Sequence, residues 1–161
     1  MRIDIEQGAV TSVKKLLQRS KIIVPYVDEN DKTPIWDGNL FIYKELQKSE
    51  NNYKNENLLG KIPIQVKGKL VSNINNKTTK YSFSVNDLKS YKQDGGAIIF
   101  VVEIINNYKT KKIDERVFKK ILLPFDLKKK LDNIKDGQKS LTLELNHFKP
   151  TRIENFELEC K

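Results

Sequence analysis

Ile62-Pro63-Ile64-Gln65-Val66-Lys67-Gly68-Lys69 decides how this chain is read. Ile62, Ile64 and Val66 alternate with Pro63, Gln65 and Lys67, the period of a half-buried strand. The apolar residues belong to one face of that strand, and Gln65 and Lys67 to the other. Two explanations of the polar face are open. An exposed sheet face accommodates Gln and Lys without further reason. Alternatively the pair is a site, in which Gln65 offers a neutral oxygen to a metal and Lys67 stands beside a phosphate. Gly68 marks a bulge or a point of close approach.

Upstream, residues 3–19 have the pattern of a helix, with Ala9, Val10, Val13, Leu16 and Leu17 at its period. Glu6 lies on or beside that apolar stripe, where a carboxylate needs a partner or a metal. A first-turn acid favoured by the helix dipole is the structural alternative. Ile22–Tyr26 reads as a short strand, and Asp28–Pro34 as a polar turn. Leu40–Tyr43 reads as another strand, entered through Asp37-Gly38. Asp-Gly is a common turn pair, yet here it sits between Trp36 and an apolar strand. Residues 44–61 read as a long polar hairpin loop with a short helical turn near Leu46.

Downstream, Asn73–Lys80 reads as a polar turn and Tyr81–Val85 as a strand. A helix follows, with Asn86 as candidate N-cap and Gly95-Gly96 as its stop. Ala97–Val102 has no polar interruption, which predicts a strand buried on both faces beneath helices. Glu115–Leu123 is a further strand, Pro124 opens a last helix through about Asn133, and Ser140–Leu145 alternates as a final strand. His147 reads as a solvated strand-end residue. Lys149–Lys161 has no evident place. The order of elements predicts an α/β domain with a mixed sheet over 1–148, and a tail over 149–161 leading toward further domains of a longer chain.

Composition narrows the function classes. The 161 residues suit one domain. Lys plus Arg is 30 against 21 acids, a formal charge of +9, which favours a polyanionic partner. Much of the lysine sits among asparagines, so composition alone also accounts for part of it. One Cys and one His exclude a zinc site built from those ligands and an internal disulfide. The acidic start Met1–Glu6 is unlike a signal peptide, and no apolar run approaches the ~20 residues of a membrane span. A cytoplasmic domain with no membrane partner is expected.

A helix with Glu6, Asp37-Gly38 at a strand, Gln65-Val66-Lys67 inside an apolar strand, then a helix and a buried strand resembles the PD-(D/E)xK nuclease superfamily. The likeness is to the Mrr-type branch that carries Gln-x-Lys, and it covers roughly residues 3–105. Trp36 stands where the family often has Pro, and Pro34 lies further back. The resemblance implies a restriction-endonuclease-like core, with a central mixed sheet flanked by helices. It implies that Glu6 is the helix carboxylate, Asp37 the central metal ligand, Gln65 the second strand ligand and Lys67 the family's lysine. It further implies a Mg²⁺ (or Mn²⁺) cofactor, double-stranded DNA as partner, and the effector role of a bacterial defence or restriction system.

That chemistry matches the residue types. Phosphodiester hydrolysis needs an activated water and stabilisation of the charge that develops on the phosphate. Mg²⁺ is bound by hard oxygens and keeps several waters. Gln65 gives a neutral oxygen, so the site holds one charge fewer than one built on Asp or Glu, and Glu6 restores part of it. Lys67 orients or helps deprotonate the water and offsets charge on the phosphate. Lys61, Lys69, Lys77 and Lys80 are candidate phosphate contacts, and Tyr43, Tyr53 and Tyr81 candidate stacking residues. A freely cutting domain is toxic, so a homodimer or gating by a partner domain is expected. The rival readings are a non-catalytic nucleic-acid-binding or interaction module with the same fold, and a basic scaffold domain.

Overall fold

In the computed structural model, residues 5–27, 38–44, 57–72, 77–107 and 112–160 are described. In chain order they form α1 (Ile5–Leu17), β1 (Ile23–Val27), β2 (Gly38–Tyr43), β3 (Leu58–Leu70), β4 (Thr78–Ser84), α2 (Val85–Gln93), β5 (Ala97–Asn107), β6 (Lys112–Leu122), α3 (Pro124–Asp132), β7 (Ser140–His147) and α4 (Ile153–Cys160). A single 3-10 turn, Pro150–Arg152, leads into α4. The class is α/β: a seven-stranded mixed open sheet, ordered β1-β2-β3-β5-β6-β7-β4, flanked by helices.

β1, β2 and β3 form an antiparallel meander. β3 then pairs in parallel with β5, from Ile64 opposite Ile98 to Leu70 opposite Ile104. A parallel pair requires a crossover, and β4 and α2 supply it. β5 and β6 form a long antiparallel pair. β7 joins β6 through only two register pairs, Phe118 with His147 and Lys119 with Asn146. β4 and β7, in contrast, pair along seven residues, from Thr78 with Asn146 to Ser84 with Ser140. The β4–β7 arm therefore joins the sheet through a narrow junction and packs Phe83, Leu143 and Leu145 into a core with Ile99 and Val101.

Period two sorts β5 into two cores. Ile98, Phe100, Val102 and Ile104 join Ala9, Val13 and Leu17 of α1 on the first face. Ile99 and Val101 join Leu88 and Tyr91 of α2, Leu127 of α3 and Leu143 of β7 on the second. Ala97–Val102 is thus buried on both faces, as its uninterrupted apolar run predicts.

Local chemistry sets the element ends. α2 is capped by Ser84, whose Oγ accepts from the Asp87 N–H at 3.0 Å, in place of the expected Asn86. The earlier cap is preferred because Ser84 keeps extended backbone while the Val85 N–H bonds the Lys139 carbonyl. Pro124 opens α3, where its missing N–H costs nothing. Gly96 has φ +105, and a Cβ there would stand 2.5 Å from the Leu122 carbonyl oxygen, so the turn into β5 requires glycine.

The C-terminal residues have a place that periodicity did not reveal. Phe156 of α4 is fully buried in the first core, with its ring centroid 4.8 Å from that of Phe148 and 6.2 Å from that of Phe100. Lys119 Nζ lies over both Phe148 and Phe156 and bridges to Glu159 at 3.1 Å. Ser20 Oγ donates to Glu157 Oε1 at 2.6 Å and accepts from the Ile22 and Ile23 N–H groups. Burial pushes the Cys160 thiol up to about 12, with Glu159 adding to the shift and Lys119 opposing it. The expected helical turn near Leu46 lies outside the described residues.

Candidate functional site

Gln65 and Lys67 occupy the same face of β3, opposite to Ile64 and Val66, which pack in the first core beneath α1. The exposed-face explanation of Gln65 does not hold, since its side chain is only 6% exposed. It is covered from the second face by α2, and Tyr91 Oη donates to Gln65 Oε1 at 3.5 Å. A buried amide needs such a partner. Lys67, one pleat along, is half-buried beside Val101 of β5.

The described pairing of β2 with β3 ends at Gly38 opposite Ile64, one residue before Gln65. Beyond that point the described neighbour of β3 is β5 alone. Gln65 and Lys67 therefore stand where one flank of β3 has no described strand beside it. Asp37 precedes Gly38 in the chain but lies outside the described residues.

Glu6 precedes Ala9, Val10 and Val13 by three, four and seven residues and so shares their side of α1, but on the first turn its side chain is exposed. Its nearest link to the central strand is through Ile5, which rests on Gly68. A Cβ at Gly68 would meet Ile5 Cγ2 and stand 2.8 Å from the Ile5 carbonyl oxygen. Gly68 is thus the point of close approach anticipated for it. α1 packs on the face opposite to Gln65 and Lys67, so Glu6 reaches them only around the flank of β3. Among the described residues, no three His, Cys, Asp or Glu side chains come together to hold a metal.

The candidate phosphate contacts divide. Lys61, Lys77 and Lys80 are exposed. Lys69 is half-buried and engaged: its Nζ donates to the Lys80 carbonyl oxygen at 2.9 Å and to Thr79 Oγ1 at 3.5 Å. Tyr43 is buried in the sheet and Tyr81 packs against Phe83, with ring centroids 5.0 Å apart, so neither is a stacking platform. Tyr53 lies outside the described residues. His147 is half-buried and not solvated as expected, with Arg116 Nη2 donating to its Nδ1 at 2.8 Å.

Two polar residues of this face were not singled out in the sequence. Tyr91 follows Leu88 by three positions, the spacing that puts both on the buried side of α2. Glu103 continues the alternation of Ile99 and Val101, which places a carboxylate on the second core face of β5. It is 1% exposed, and its Oε2 accepts no hydrogen bond among the described residues. The signal was an acid at an inward position directly after an apolar run.

No family model, curated protein or solved structure matches the chain.

Proposed function

We propose that this chain is a metal-dependent DNA endonuclease domain with a restriction-endonuclease-like core. The observation that carries the reading is the pairing of Gly38 with Ile64, which brings the residue after Asp37 to the residue before Gln65. Gly38 follows Asp37 in the chain and Ile64 precedes Gln65, which matches the motif order of the Gln-x-Lys nucleases. The antiparallel meander β1–β3 after α1, followed by a crossover to parallel β5, is compatible with that core.

The donor set suits a hard divalent cation. Asp37 is the carboxylate, Gln65 Oε1 a neutral oxygen already oriented by Tyr91, and Glu6 an exposed acid able to act through water. When bound, Mg²⁺ or Mn²⁺ supplies Lewis-acid polarisation of the phosphoryl oxygen and a water of lowered pKa. The chain's residues do the rest. Asp37 and Gln65 would hold the ion, and Lys67 would orient the attacking water and offset charge on the phosphate. Tyr91 fixes the amide of Gln65 so that its oxygen faces a constant direction. Lys61, Lys77 and Lys80 draw the phosphate backbone onto the surface, consistent with the net charge of +9. A role in bacterial defence or restriction, with activity gated by dimerisation or a partner domain, belongs to the same reading. Metal-dependent plasmid cleavage by the native chain, beside Asp37→Ala and Lys67→Ala, tests it.

A further inference from the structure

Beyond Lys67, the face of β3 that carries Gln65 opens into a polar cleft of about 660 Å³ between the β3–β5 ribbon and the start of β4. Its size lies within the range of small-ligand sites, about 300–1,000 Å³. Lys69, Lys77 and Lys80 line it with the hydroxyl residues Ser72, Thr78 and Thr79, and Glu103 is the one acid of its described lining. Lys69 is held by the Lys80 carbonyl, and Thr79 is 4% exposed, so this part of the cleft is built.

Glu103 is the feature that needs an explanation. In register it sits between Lys69 on β3 and Arg116 on β6. Its Oε2 nevertheless accepts no hydrogen bond among the described residues. A buried carboxylate oxygen without a donor is costly, and such atoms in a folded protein point to a missing partner. Glu103 itself lines the cleft, and the terminal torsion of Glu is soft. Anionic groups are drawn by the lysines, and the carboxylate demands an N–H or O–H donor on the same molecule. Inorganic phosphate brings a P–O–H donor of its own but fills only a small part of a cleft of about 660 Å³. A nucleotide satisfies both requirements, with phosphate on the lysines and an amino, imino or hydroxyl group on Glu103.

We infer that this cleft seats one nucleotide of the nucleic acid, with Lys77 and Lys80 on its phosphate and Glu103 accepting a hydrogen bond from its base or sugar. The inference rests on the nucleic-acid reading above and adds a discriminating residue to it. Lys67 is not among the described residues that line the cleft, so the two are separable by experiment.

The test is an NMR titration of the full chain with inorganic phosphate, with the four deoxynucleoside monophosphates and with the corresponding ribonucleotides. Nucleotides are expected to shift the Thr79 and Glu103 amides saturably, at concentrations about tenfold or more below those phosphate needs. Glu103→Leu, which removes the acceptor, is expected to erase that advantage. Lys80→Ala, at an exposed position, is expected to weaken binding of both ligands. A ribose preference assigns the donor to the sugar, and a preference among deoxynucleotides assigns it to the base. The inference is overturned if phosphate and nucleotides bind alike, if Glu103→Leu leaves nucleotide binding unchanged, or if neither ligand moves these amides. Lys67→Ala must retain nucleotide binding. Binding without cleavage by the native chain therefore defeats the nuclease reading and leaves the cleft standing.

Discussion

Gly68 of the central strand lies directly against the backbone of Ile5 at the start of the first helix, where a Cβ would come 2.8 Å from the Ile5 carbonyl oxygen. The contact fixes the N-terminus of α1, and with it Glu6, at the end of β3 that carries Lys67. Gly68→Ala must push backbone against backbone, which a rotamer change cannot relieve. The expected loss is about 1–3 kcal/mol in urea or thermal unfolding. Gly8 is the control, because a Cβ there meets Ile104 Cδ1 at 3.7 Å, an ordinary contact. Gly8→Ala is expected to be neutral or to stabilise by up to about 1 kcal/mol through helix propensity. Equal effects of the two substitutions would refute this account of the packing.

Phe156 and Ser20 secure the C-terminal helix. Phe156→Ala empties a fully buried site shared with Phe100 and Phe148, and should cost about 3–5 kcal/mol. Ser20→Ala removes the donor to Glu157 and the acceptor of two N–H groups, and should cost about 1–3 kcal/mol. Denaturation of both variants checks this, and a Phe156→Ala protein as stable as the parent would show that α4 does not dock.

His147 gives stability a dependence on pH. Its imidazole is held below the ordinary value of 6.5 by burial first, then by the Arg116 and Lys149 charges. Arg116 can only donate, so Nδ1 accepts and the ring is neutral. A base whose pKa is depressed in the folded state is protonated first in the unfolded chain. Its contribution is therefore present above about 6.5 and lost as pH falls through the folded-state value. Unfolding free energies measured across that window should fall with pH more steeply for the parent than for His147→Gln. An imidazole midpoint above 6.5 by NMR would contradict the sign.

What the sequence disclosed follows from where period and chemistry coincide. Ile62, Ile64 and Val66 against Gln65 and Lys67 specify the two faces of β3, and the run Ala97–Val102 specifies a strand covered on both sides. Gly68 announced its close contact because a glycine amid strand formers has few other uses. The phase of Glu6 was legible and its exposure was not, because helix periodicity does not say how far the first turn of α1 is covered. The β4–β7 arm was illegible, since pairing between Thr78–Ser84 and Ser140–His147 is non-local and leaves no local pattern. α4 was missed for the same reason: its one fully buried residue, Phe156, finds its partners on β5 and beside β7. Glu103 was legible and unread, an inward acid masked by the apolar run before it.

The most direct test of the central claim is plasmid cleavage by the native chain with Mg²⁺, Mn²⁺ or EDTA, beside Asp37→Ala and Lys67→Ala. The account predicts cutting with either metal, none with EDTA, and a loss of about a hundredfold or more in each variant with salt-sensitive DNA binding retained. Cutting that survives both substitutions, or no cutting with either metal, would contradict it.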